Sequence, residues 1–217
     1  MAEGTATEGT AVKRSVLRVI GFDIITSGLY AFYWFYVTRQ KLDSELGEKR
    51  WIKQSPAAQL FGPLALAVAG IPLSLIVIGI PLLIAAAVLG FLIVYGMYRD
   101  IALLHKEQGL GGFPAVWFVL APVILGIIPI VNFVSGIVSL VLWGVAVGKL
   151  NEYWDKKTGG KALEAKYGSG EIAVIVIGVL FWILILALLA LGVFAAIVSS
   201  VIGGDASTTV PNYNYGY

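Results

Sequence analysis

Few side chains in this sequence could carry chemistry, and they do not converge. His105 is the single histidine and cysteine is absent. A metal site would need His105 together with the nearby carboxylates Asp100 and Glu107, which point to different faces of a helix, whereas a bound metal needs ligands that meet. His105 is read instead as a solvated side chain near a membrane surface. No metal and no other cofactor is expected. The lack of cysteine also removes thiolate nucleophiles and disulfide frameworks. The glycine-rich stretches 109–112 and 158–160 lack the order of a phosphate-binding loop running into a helix, and read as loops. No residue is put forward as catalytic, and a non-enzymatic role is expected.

Asp23 is the one acid inside an apolar stretch. At mid-membrane an acid costs about 2.5–3.5 kcal/mol on insertion scales and is a functional suspect by default. A proton or cation relay needs charged or histidine partners, however, and residues 54–98, 108–148 and 172–204 contain no Lys, Arg, His, Asp or Glu. Asp23 is therefore read as a cap at a break in the run Asp23-Ile24-Ile25-Thr26-Ser27-Gly28, with Thr26 as the other candidate cap and Gly28 as the turn glycine. Asn132, shortly after Pro129, is read as satisfying turn backbone, with a substrate contact as the alternative. Tryptophans and tyrosines gather near helix ends, the pattern of an interfacial aromatic belt; an aromatic cage for a cationic ligand is the sharper alternative.

The elements that hold these residues follow from composition. Hydrophobic residues make up 59% of the 217, charged residues 13%, and the mean hydropathy is +0.88. Soluble domains carry about 25% charged residues, so the chain is expected to be an all-α, polytopic membrane protein whose partner is the lipid bilayer. A net charge of +2 gives no basic face for nucleic acid, which is excluded as a partner. The charges fall in clusters at 3–18, 39–53, 99–107 and 149–171, with Asp23 and Asp205 apart. About 20 apolar residues make one crossing, so the uncharged intervals 54–98 and 108–148 each accommodate two. Their reversals are expected near Ile71-Pro72 or Gly79-Ile80-Pro81, and near 128–132. Positive charge marks the cytoplasmic side, which puts the last three clusters there. Residues 172–203 read as one long span, leaving the tail outside. The basic start lacks a small-residue cleavage site and is read as retained. Residues 15–37 could cross once, but Arg18 and Asp23 favour a re-entrant hairpin.

An internal repeat supports that choice. Ser27-Gly28-Leu29 is followed, 13 residues after Gly28, by Lys41-Leu42-Asp43; Ser135-Gly136-Ile137 is followed, 13 after Gly136, by Lys149-Leu150-Asn151. A fainter copy aligns Gly90 with Gly28 and Leu104 with Leu42. Each copy leads into a helix that leaves the membrane as an amphipathic extension. Stripes at helical spacing run through Phe35, Thr38, Leu42 and Leu46, through Tyr98, Ile101 and Leu104, and through Val147, Leu150 and Trp154. Trp34, Tyr36, Leu42, Leu46, Ile101, Leu104, Leu150 and Trp154 are thus candidates for the membrane interface, where the stripes would rest on headgroups. The alternative is that the three extensions pack on one another. Gly144 with Gly148, and Gly192 with Ala196 and Ser200, form small-residue ladders that let helices approach closely, pointing to helix packing and a homo-oligomer.

The resulting organisation is a disordered tail over 1–12, a short re-entrant hairpin with extension over 13–54, transmembrane hairpins over 55–112 and 113–170, a final span over 171–203, and a tail over 204–217. At Thr26-Ser27-Gly28-Leu29-Tyr30-Ala31-Phe32-Tyr33-Trp34-Phe35-Tyr36 the sequence resembles a prokaryotic membrane family catalogued as domain of unknown function four-two-three-four. Its pattern runs roughly T-x-G-[IL]-Y-x-x-Y-W, and the likeness covers about residues 13–48. The resemblance implies a bacterial or archaeal cell membrane and brings no activity with it. The expected role is a scaffold or membrane organiser acting through self-association and interfacial helices. The rival is a channel or carrier for a small neutral or lipid-like solute.

Overall fold

The computed structural model describes residues 12–203. Helix α1 (Val16–Ile25) stops after three turns, and Ser27 and Gly28 then take φ of 52° and 91° before α2 (Leu29–Leu46) begins. Only glycine enters that left-handed region without penalty, so Gly28 is a conformational requirement of the break. Helix α3 (Pro56–Leu73) opens on Ser55, whose hydroxyl accepts from the Ala58 N–H at 3.2 Å, with proline in the first helical position. A short 3-10 turn, Ser74–Ile76, leads to α4 (Gly79–Glu107). Helices α5 (Ala115–Ile127), α6 (Asn132–Lys157) and α7 (Ser169–Gly203) complete the chain.

The protein is all-α apart from β1 (Val12–Lys13) and β2 (Leu163–Glu164), a two-residue parallel pairing that ties the start of the described chain to the segment before α7. Seven helices lie among the described residues, and four of them, α3, α4, α6 and α7, are long and apolar enough to cross a membrane. The charge map expected two crossings between residues 108 and 148. Helix α5 corrects this: its 13 residues rise only about 20 Å, short of the roughly 30 Å hydrocarbon core. The uncharged interval is partly spent on the loop before Pro114 and on the reversal after Ile127. The earlier reversal falls between its two expected positions. The proposed tails lie outside the described residues.

Helix α3 packs along α4 and α5 along α6, while α2 and α1 sit against α6 and α7. Large apolar side chains such as Val68, Ile84, Val141 and Leu184 face outward, the arrangement of a protein solvated by lipid. At one end of the bundle the four charged clusters meet. Lys13 pairs with Asp155 at 2.8 Å, Lys49 with Glu107 at 2.8 Å, and the Tyr153 hydroxyl donates to Glu45 at 2.9 Å.

Two arginines are locked inside this end. Arg39, fully buried on α2, places Nη1 2.5 Å from Oδ2 of the equally buried Asp100 on α4. Its Nη2 donates to the Ile52 carbonyl at 3.0 Å, Asp43 lies 3.4 Å from its Nε, and the Trp51 N–H donates to Asp100 Oδ1 at 3.1 Å. Arg18 on α1 forks onto Glu171 of α7 at 2.9 and 2.5 Å, and the Tyr30 hydroxyl donates to the same carboxylate at 2.7 Å. Glu171 sits in the first turn of α7, where the helix dipole favours an anion. Seven residues on, at Gly178, a Cβ would lie 2.6 Å from the Thr26 Cα, so glycine lets α7 press directly on the α1–α2 turn.

Breaking one side of a buried ion pair strands the other charge, at a cost of about 3–5 kcal/mol, whereas replacing both sides with apolar groups is close to neutral. Asp100→Asn is therefore expected to lower the thermal midpoint in detergent sharply, and Arg39→Met with Asp100→Leu to recover most of it. Gly178→Leu should cost about 1–3 kcal/mol by overpacking. Gly62→Leu, at a position where a Cβ meets nothing within 4 Å, should leave the same midpoint nearly unmoved.

Candidate functional site

The turn between α1 and α2 is built from the residues singled out for it. Asp23 accepts from the Ala31 N–H through Oδ1 at 2.9 Å, reaching forward from within α1 to the first turn of α2. The buried Thr26 hydroxyl accepts from the Tyr30 N–H at 2.9 Å and donates to the Phe22 carbonyl at 2.8 Å. Both side chains thus accept from amide donors in the first turn of α2, the Ala31 N–H being shared with the Gly28 carbonyl at 3.2 Å. Asn132 opens α6 with an exposed side chain. The tie between α5 and α6 is made three residues later, where the Ser135 hydroxyl donates to the Pro122 carbonyl at 2.7 Å.

The amphipathic stripes face one another. Trp34, Leu42, Leu46, Ile101, Leu104, Leu150 and Trp154 all belong to one buried cluster shared by α2, α4 and α6; Tyr36 is half-buried. Their contacts are therefore with protein and not with headgroups, because apolar stripes brought together at the end of a bundle cover each other before they cover lipid. Trp34 meets Trp143 edge-on with ring centres 5.3 Å apart, while Trp51, Trp117 and Trp182 face outward. Of the small-residue ladders, Gly144 receives α1, since a Cβ there would lie 3.0 Å from Ile20 Cδ1. A Cβ on Gly148 or Gly192 would meet nothing within 4 Å, and Ala196 and Ser200 are exposed on α7.

His105 departs most from its expected setting. It is buried, with Nδ1 2.5 Å from the Gly111 carbonyl oxygen and Nε2 3.0 Å from Glu152 Oε2, and so fastens α4 to α6 and to the glycine-rich loop. A lone histidine between polar runs carries no mark in sequence of a carboxylate 47 residues away.

One feature with room for a ligand lies among α2, α3, α4 and α6: a cavity of about 820 Å³ with Asp23 on its wall. It extends along α4 from Leu83 to Tyr98, about 22 Å of helix rise. Small residues, including Ala31, Ala67, Ala87, Gly90 and Gly136, leave the space, and Trp34, Phe35 and Trp143 line it with rings. A Cβ at Gly90 or at Gly136 would meet nothing within 4 Å. Phe32, Leu64 and Val94, which also line the cavity, are exposed on the outer surface, so it opens sideways through the lipid-facing wall. Polar lining groups are Asp23, Gln59, Tyr98 and Ser139. The buried Gln59 amide donates to the Gln54 carbonyl at 2.8 Å and leaves its own Oε1 without a hydrogen-bond partner, a deficit of about 1–3 kcal/mol. This cavity was not visible in the sequence, because its small residues come from four helices and share no period.

No curated protein and no solved structure matches the chain. Residues 14–102 match a family model described as a domain of unknown function. The match runs past the aromatic segment that suggested it, through α2 and α3 and most of α4, and takes in the Arg39–Asp100 pair. This part of the chain is a DUF4234 domain.

Proposed function

We propose that the protein is a non-enzymatic, multi-pass membrane protein that accommodates a lipid-like solute in the cavity between α2, α3, α4 and α6. The observation carrying this reading is the sideways opening of a long apolar cavity through the lipid-facing wall. Apolar surface of that shape suits an alkyl chain, and the few polar groups along it suit a small head that donates hydrogen bonds, since Asp23 and Gln59 Oε1 are acceptors. The charged end of the bundle faces the cytoplasm on this reading, by the excess of Lys and Arg there, and the membrane is that of a bacterium or archaeon, as the family resemblance implies. The hairpins are taken as copies of one ancestral unit.

Mass spectrometry of lipids extracted from the purified protein tests the proposal. Gly90→Phe with Gly136→Phe fills the space without striking a neighbour at Cβ, and is expected to reduce co-purifying lipid-like solute at least about tenfold, a loss of 1.4 kcal/mol or more. An equal load in both proteins would overturn it.

A second reading, self-association, rests on α7. Its apolar window is 6% buried, and its contacts with other helices are to α1 and α2. With the stripes turned inward, this helix is the route by which copies would organise one another, through the Gly192, Ala196 and Ser200 ladder. Gly192→Leu with Ala196→Leu is then expected to abolish the oligomer trapped by chemical cross-linking in native membranes. A monomeric native protein sinks this reading and leaves the cavity reading standing.

A further inference from the structure

Among the described residues, every carboxylate except Asp23 and Glu164 has a basic partner within 2.9 Å. Glu164 stands exposed, where water compensates it. Asp23 is half-buried, and residues 1–11 and 204–217 hold no Lys, Arg or His that could pair with it. Among the described residues it is also the one charged group lining the cavity.

Its carboxylate is held in place and only partly satisfied. Oδ1 accepts from the Ala31 N–H at 2.9 Å, while Oδ2 makes no hydrogen bond to a described residue. Ala31 stands eight residues before Arg39 on α2, about 12 Å of helix rise from the charged end of the bundle. Asp23 thus lies on the wall of an apolar cavity that opens to lipid, with no base of the chain paired to it. A carboxylate so placed is costly until a counter-ion or a proton joins it.

The other groups lining the cavity favour the counter-ion. Trp34 and Phe35 follow Ala31 by three and four residues, one turn on along the same face of α2, and both line the cavity. Trp143, whose ring centre is 5.3 Å from that of Trp34, lines it as well. Aromatic faces attract a positive charge, and more strongly out of water. Gln59 Oε1, buried and without a hydrogen-bond partner, adds a second acceptor to the same cavity. A proton on Asp23 would leave the rings and this acceptor unused, whereas an ammonium head brings both charge and N–H donors.

We propose that the cavity selects a cationic amphiphile, an alkyl chain bearing an ammonium head, with Asp23 as its counter-ion and the rings of Trp34, Phe35 and Trp143 beside it. This assignment rests on the cavity reading and names the class of solute the cavity takes.

Full-length protein in phosphatidylcholine nanodiscs is equilibrated at neutral pH with radiolabelled dodecylammonium or dodecanol, and uptake into empty nanodiscs is subtracted. The two probes share a chain and both donate hydrogen bonds, so the difference between them isolates the charge. Native protein is expected to hold dodecylammonium about 30-fold more tightly than dodecanol, the size of a desolvated contact between a cation and an aromatic ring. Asp23→Asn keeps an Oδ1 for the Ala31 N–H and removes the charge, so the two probes should bind it alike. Glu164→Gln should keep the native ratio, and Gly90→Phe with Gly136→Phe should weaken both probes. Equal binding of the probes by native protein, or a native ratio in folded Asp23→Asn protein, overturns the cationic head and leaves the cavity reading standing. Binding of neither probe above empty nanodiscs, or of both undiminished in the filled variant, overturns the two together. If Asp23→Asn does not fold, the ratio in native protein decides alone.

Discussion

Buried charge governs this structure. A guanidinium taken out of water needs charge and hydrogen-bond partners, and Arg39 draws Asp100 and the Ile52 carbonyl onto its terminal nitrogens while Asp43 stands 3.4 Å from an Nε that makes no hydrogen bond. Those groups belong to α2, α4 and the linker between α2 and α3, so satisfying one side chain fixes three parts of the chain. Arg18 does the same for α1, α2 and α7 through Glu171 and Tyr30. The apolar clusters then pack within a frame whose helix order is already set, because an ion pair has a definite partner whereas leucine accepts many neighbours.

How much of this could be read from residues alone varied with range. The break at Gly28 was legible because a glycine requirement, a cap and a charge coincide within six residues. The long final helix was legible because nothing interrupts it. The clustering of charge suggested that the clusters lie together, but not which acid meets which base: Arg18 and Glu171 are 153 positions apart. The stripes were legible as apolar faces, while their partner was not, since headgroups and a neighbouring helix ask for the same pattern. The length of α5 was misjudged because an uncharged interval sets an upper bound on helix and says nothing of how much is loop. The cavity depends on what four helices leave empty, and emptiness has no residue to mark it.

The family match and the packing have different limits. Residues 14–102 contain both members of the Arg39–Asp100 pair but only one side of the Arg18–Glu171 pair. Tyr30, inside the match, likewise gives its hydroxyl hydrogen to Glu171 outside it. The matching segment therefore leaves a half-buried arginine unneutralised by its own residues, and the buried Glu171 of α7 completes it from beyond. In this chain the domain and the helices that follow it are joined by an ion pair with one side in each.

Helix α5 carries a consequence for what surrounds the protein. The apolar stretch of α4 from Gly79 to Tyr98 matches the full height of a hydrocarbon layer, while α5 is roughly 10 Å shorter. The reversal it feeds displays Ile127 and Ile130 outward. One flank of the molecule thus asks for a thick bilayer and another for a thin one, and each ångström of mismatch costs a fraction of a kcal/mol. In a bilayer, helices of such unequal apolar length would ask the adjoining lipid for two thicknesses at once, without any helix having to lie on the surface.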